Sequence, residues 1–129
     1  MTAADAWITA FRTRDFAPAA ELLADDVAFR SPVLARPWRS RAVLEQLGPA
    51  MVRVFDDATF TSRAQDGSTA FLRFEGRVGD LDAEGVLVLE TGADERVREM
   101  AILVRPLTAL TAVAERMGAA LDPELLAGH

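Results

Sequence analysis

Arg73, Glu75 and Glu99 are the residue types that could hold and activate a water. A guanidinium would fix the oxygen and a carboxylate would take its proton. Other chemistry-bearing types are scarce. The chain has no cysteine and no tyrosine, which removes disulfides, thiolate zinc sites and cysteine nucleophiles. The one histidine, His129, is the last residue. A terminus frays, so no metal or catalytic role is expected of it, and no metal site or other cofactor is expected at all. No glycine-rich loop suited to cradling phosphate is present.

Whether Arg73, Glu75 and Glu99 can act depends on the strands that would position them. Alternation and turn residues predict strands over 57–65, 69–79, 83–91 and 96–105. Asp66-Gly67 marks the first hairpin turn, Gly79 to Asp82 the second and Gly92 to Glu95 the third. Folding about the second turn sets Leu72 against Leu89, Phe74 against Leu87 and Val78 against Ala83, with Arg77 facing Glu84 on the other side. Folding about the third sets Leu87 against Met100, Gly85 against Ile102 and Asp82 against Arg105. One register satisfies both hairpins. It places Gly76 opposite Gly85, where two missing side chains permit a sharp bend. The bend makes a cup whose inner face is apolar. Arg73, Glu75 and Glu99 then fall on the convex face, as part of a charge ladder rather than a site.

Helices must line the cup. Thr2 and Asp5 have capping-box spacing, and Ala4, Trp7, Ile8 and Phe11 follow at helical intervals, predicting a helix over 3–13. Asp15 caps a second, with Ala19, Leu22 and Leu23 as its apolar stripe, and a short strand follows over 27–32. Pro32 and Pro37 bracket a loop holding Trp38. Ser40 opens a third helix, with Leu44, Leu47, Met51, Val54 and Phe55 on one face; Gly48-Pro49 inside it predicts a kink or break. Pro106 stops the last strand, and a final helix over 107–119 is expected to turn Leu107, Leu110, Ala114 and Met117 inward. The expected fold is a soluble α+β domain, one unit over 1–129, with helices packed into a strongly curved antiparallel sheet.

The composition agrees. Hydrophobic residues are 50% of the 129 and charged residues 26%, ordinary for one globular domain. The net charge of −6 comes without a basic stripe. Neither nucleic acid nor an anionic membrane is therefore an expected partner. No apolar run reaches the length of a membrane span, and residues 1–11 lack a signal peptide's basic start. With no cysteine, the expected location is the cytoplasm.

Three segments bear a resemblance to a known family: Leu22-Leu23-Ala24-Asp25-Asp26-Val27-Ala28-Phe29-Arg30-Ser31-Pro32, Phe74-Glu75-Gly76-Arg77-Val78-Gly79, and Val104-Arg105-Pro106-Leu107. Through them the chain resembles the nuclear transport factor 2-like superfamily, and within it the SnoaL-like proteins. The resemblance implies a cone with a pocket at its open end, and homodimers formed through the sheet. That superfamily holds isomerases, cyclases, dehydratases, epoxide hydrolases and binding modules, so the fold alone assigns no reaction.

The resemblance also says where a steroid isomerase's groups would stand. The base position falls on Ser31, the tyrosine position near Trp7, and the aspartate position near Gly85 or Val86. None has the needed residue type, so that chemistry is not expected. The inward positions Leu72, Phe74, Leu87, Met100, Ile102 and Val104 offer no titratable group for a cyclase-like acid. Ser31 and Arg63 are the polar residues expected to reach the cup, and Glu45 is a helix carboxylate an enzyme could use. No catalytic residue is assigned. The expected pocket wall is Trp7, Phe11, Phe29, Ser31, Trp38, Phe55, Phe74, Leu87, Met100 and Ile102, holding a small hydrophobic molecule. Phe71, Val86, Val88, Ala101 and Leu103 make the convex face apolar enough to expect a homodimer there, or coverage by the C-terminal tail.

Overall fold

The computed structural model describes residues 1–119. His129 and the tail expected from Asp122-Pro123 lie outside the described residues. Ten elements follow in order: α1 (Ala3–Thr13), α2 (Ala17–Ala20), β1 (Leu23–Arg30), β2 (Trp38–Arg39), α3 (Arg41–Met51), β3 (Asp57–Asp66), β4 (Thr69–Val78), β5 (Leu81–Thr91), β6 (Val97–Arg105) and α4 (Leu107–Gly118). The strands form one sheet in the order β2-β1-β6-β5-β4-β3. β1 runs parallel to β6, and the other neighbours are antiparallel.

The long strands alternate as expected, but both inner hairpins are shifted by two residues. Val78 pairs with Leu81, so the second turn is the two-residue loop Gly79-Asp80 rather than four residues. Gly79 has φ +62 at the loop's first position, where tight hairpins need glycine. The first turn works the same way: Asp66 pairs with Thr69, and Gly67 (φ 59) with Ser68 forms the loop. Leu72 therefore faces Leu87, and Phe74 faces Gly85. Leu87 continues to Ile102, Leu89 to Met100 and Gly85 to Val104. A shift of two preserves which face each side chain occupies, so the inner face remains apolar.

The bend has a different geometry from direct pairing of glycines. Gly76 faces Ala83 and Gly85 faces Phe74, so the two glycines are diagonal neighbours. Each sits where backbones approach closely. A Cβ on Gly76 would overlap the carbonyl of Asp57 on β3, and one on Gly85 the carbonyl of Leu103 on β6. Two strands thus curve tightly across β4 and β5.

Packing of the concave side follows from apolar stripes. On α1 the Thr2–Asp5 capping box is formed, and Ala4, Trp7, Ala10 and Phe11 are buried. Phe74 is the hub of an aromatic cluster, with ring centroids 6.4 Å from Phe11, 5.1 Å from Phe55 and 5.9 Å from Phe60. Such pairs add about 0.5–1.5 kcal/mol each beyond area burial.

Four local expectations are corrected. α2 is a single turn, because Leu23 already pairs with Val97 and starts β1 four residues early. Trp38 is not a loop residue but a strand residue paired with Phe29. α3 runs unbroken through Pro49; the proline stands in the last turn, where few bonds depend on it, and Phe16 packs against the bare Gly48. α4 turns Ala109 and Val113 inward, while Leu107 is 76% exposed.

Candidate functional site

The cavity that best suits a ligand lies between the end of β1, the loop over 31–37, α3 and α4. Its volume is about 220 Å³. The inner end is closed by Phe29, Leu47, Met51, Val54, Ile102 and Val113, all buried. Trp38 and Ser31 stand on one side, brought there by the β1–β2 pairing. The mouth is formed by Pro32, Val33 and Leu34 opposite Ala114, Met117 and Gly118 of α4. Val33 and Leu34 are 57% and 47% exposed, unusual for large apolar side chains with nothing to cover.

Ser31 has the wall's hydroxyl. Its Oγ accepts the Val33 N–H at 3.1 Å, which holds the loop's first turn. Among the described residues no titratable side chain lines the cavity. Among the described residues no charged or polar residue is buried, and no group of three His, Asp or Glu side chains could hold a metal ion.

Of the residues expected in the pocket wall, Phe29, Ser31, Trp38 and Ile102 line this cavity. Trp7, Phe11, Phe55, Phe74, Leu87 and Met100 do not; they pack solidly against one another deeper in the cone. Trp7 is fully buried, and its indole N–H has no partner among the described residues. From α4, Ala114 and Met117 of the expected inward stripe line the cavity beside Val113 and Gly118, while Leu107 points to solvent. The proline-bracketed pair Val33-Leu34 was the available signal for the mouth.

The polar candidates are elsewhere. Arg63 bonds Asp5 on α1 at 2.9 Å, at the rim of the sheet; with the Thr2 cap this holds the Asp5 carboxyl down at about 2. Glu45 pairs with Arg41 at 2.6 Å, outside the cavity. Arg73, Glu75 and Glu99 lie on the convex face, and they do not converge. Glu84 bridges Arg105 at 2.5 Å and Arg73 at 3.4 Å, and the two guanidiniums lower its pKa. Glu99 pairs with Arg30. The ladder thus exists with different partners from Arg77–Glu84 and Asp82–Arg105, as the two-residue shift requires.

A larger hollow, of about 570 Å³, lies beside α2 and has a charged wall. Its arginines are already engaged: Arg14 with the Arg53 and Asp56 carbonyls, Arg41 with Leu23, Ala20 and Glu45, and Arg53 with the Arg14 carbonyl. No helix among the described residues is long and apolar enough to cross a membrane.

Comparison with known proteins agrees with this cone. A steroid delta-isomerase from Pseudomonas aeruginosa superposes with TM-score 0.85 at 28% identity, over 96% of this chain and 92% of that one. An uncharacterised bacterial protein with a cystatin-like fold from Silicibacter pomeroyi gives 0.86 at 23% identity, over 96% and 89%. A de novo designed protein with a curved β-sheet gives 0.71 at 9%, over 88% and 92%, so the architecture recurs with little sequence in common. No curated protein matches the sequence. Neighbours of this kind assign no specific reaction. The family model of the SnoaL-like domain matches residues 4–105, and the chain belongs to that family, within the nuclear transport factor 2-like fold.

Proposed function

We propose that the protein binds a small, neutral, apolar molecule in the cavity between α3, α4 and β1. The observation that supports this is a wall of fourteen described residues with no titratable side chain among them. Burying a charge there unpaired would be prohibitive, so the ligand is uncharged. Size narrows it further. A dry cavity of about 150 Å³ accepts benzene, so 220 Å³ suits roughly nine or ten heavy atoms on the same scale. A four-ring skeleton would need the mouth to open. The likeness to a steroid isomerase favours a polycyclic substrate, but proton transfer at carbon needs a positioned acid or base, and this wall offers none.

Naphthalene is a suitable probe, because Trp38 lines the cavity and reports by fluorescence. Saturable quenching is expected in the full chain, and Ala114→Phe, which fills the space from α4, is expected to abolish it. Quenching that never saturates, or that survives Ala114→Phe, would rule the reading out.

The convex face supports a second copy of the chain as partner. Phe71 and Leu103 are 39% and 56% exposed there, beside half-buried Val86, Val88 and Ala101. Two-fold association would bury this patch against itself and leave the Arg73–Glu84–Arg105 ladder at its edge. The absence of cysteine suits a reducing compartment such as the cytoplasm.

A further inference from the structure

We infer that Ser31 selects the ligand: the cavity takes a one- or two-ring molecule carrying a single hydrogen-bond acceptor, to which the Ser31 hydroxyl donates. This rests on the binding reading above and adds the class of ligand to it.

A serine hydroxyl has one proton to donate and two lone pairs. In Ser31 a lone pair is engaged by the Val33 N–H. Its proton meets no acceptor among the described residues. The Val33 bond also anchors the oxygen, so donation to a ligand costs little ordering. Around it the wall is Phe29, Ile102, Val113 and similar side chains, which offer neither donor nor acceptor. A ligand carbonyl or ether oxygen would therefore meet a donor, whereas an added carboxylate or ammonium would be desolvated without a counter-charge.

Half-burial of Ser31 matters to the argument. In the empty protein a water can satisfy the hydroxyl, so the apo state bears no unpaired buried group. A ligand that fills the cavity displaces that water, and only one with an acceptor replaces the lost bond. The discrimination is thus made on binding, and it favours acceptor-bearing ligands over hydrocarbons of the same shape.

Tetralin and 1-tetralone test this, since they differ by one carbonyl. Affinities are measured by Trp38 quenching and by calorimetry for the wild type, Ser31→Ala and Ser31→Thr. Ser31→Ala is expected to weaken 1-tetralone about three- to tenfold and to leave tetralin unchanged. Ser31→Thr keeps the hydroxyl and is expected to restore the 1-tetralone affinity. Equal losses for both probes, or no loss for either, would overturn the role of Ser31 while leaving the cavity as a binding site. Failure of both probes to bind the wild type would instead remove the binding reading, and this inference with it.

Discussion

Phe74 faces Gly85 across the β4–β5 pair, with its ring over the place where a side chain would be. A Cβ on Gly85 would stand 2.7 Å from Phe74 Cζ and would also overlap the Leu103 carbonyl. The ring could move on its χ angles, but the carbonyl belongs to the β5–β6 ladder and cannot. The missing side chain therefore lets β6 close in on one side while Phe74 seals the core on the other.

Gly85→Ala is accordingly expected to destabilise the fold by about 2–3 kcal/mol, at the upper end for overpacking. Gly67→Ala is the control. Nothing lies within 4 Å of that position, and only its φ of +59 opposes a side chain, a penalty of about 1 kcal/mol. Urea denaturation of the two variants measures the difference. A Gly85→Ala loss no larger than that of Gly67→Ala would remove close backbone approach as the reason for this glycine.

The same region shows what could be read from residue order alone. Strand limits were legible because β4, β5 and β6 alternate between turn residues, and the inner face was legible because an error of two residues does not change it. Pairing partners were not. They depend on whether Asp80 belongs to the turn alone or extends it to Asp82, and both sequences suit a hairpin. At the site, Phe29, Ser31 and Trp38 were accessible through their proline-flanked segment. On α4 the stripe Leu107, Leu110, Ala114 and Met117 was legible in part: Ala114 and Met117 reach the wall, but Ala109 and Val113 carry the buried contact, which only docking against the sheet decides.

The pH dependence should be visible at Asp5. Its carboxyl accepts from Thr2 and Arg63, and its pKa falls from the ordinary 3.8 to about 2. The paired carboxylate therefore adds to stability in full above the unfolded value, near pH 4. Between about 3.8 and 2 the unfolded chain takes up the proton first, so the contribution fades and is gone below about 2. Arg63→Ala removes the principal partner. The difference in melting temperature between wild type and Arg63→Ala is expected to be constant from pH 7 to about 5, then to shrink towards zero in acid. A gap that is unchanged at pH 2.5 would show that Arg63 acts otherwise than through Asp5.

Arg116 ties α4 over the cavity. Its guanidinium donates to the Val54 carbonyl at 2.9 Å and to Asp56 at 3.2 Å, while Asp56 also accepts the Gly79 N–H at 2.6 Å. The next residue, Met117, is part of the mouth. The ion pair is half-exposed, so Arg116→Ala should cost only about 1 kcal/mol overall. Its local effect should be larger. Amide exchange is expected to accelerate over residues 113–118 and to stay unchanged in β4 and β5. Uniform acceleration, or none, would mean that α4 is held by Ala109 and Val113 alone.

The convex face provides the last test. Leu103 projects from the middle of that face in the row Arg73–Val86–Leu103. It is more than half exposed, so Leu103→Glu should leave the monomer fold intact, with circular dichroism and melting at low concentration like the wild type. In a dimer the two copies of this row would meet near the two-fold axis. Two added carboxylates would then be forced together in a desolvated patch, and each would also lie close to Glu84. Sedimentation velocity at tens of micromolar is expected to show the wild type as a dimer and Leu103→Glu as a monomer that still quenches with naphthalene. A wild type that sediments as a monomer would remove the second copy as the partner of Phe71 and Leu103. Loss of naphthalene binding together with loss of the dimer would mean that the sheet's curvature, and with it the cavity, depends on the second copy.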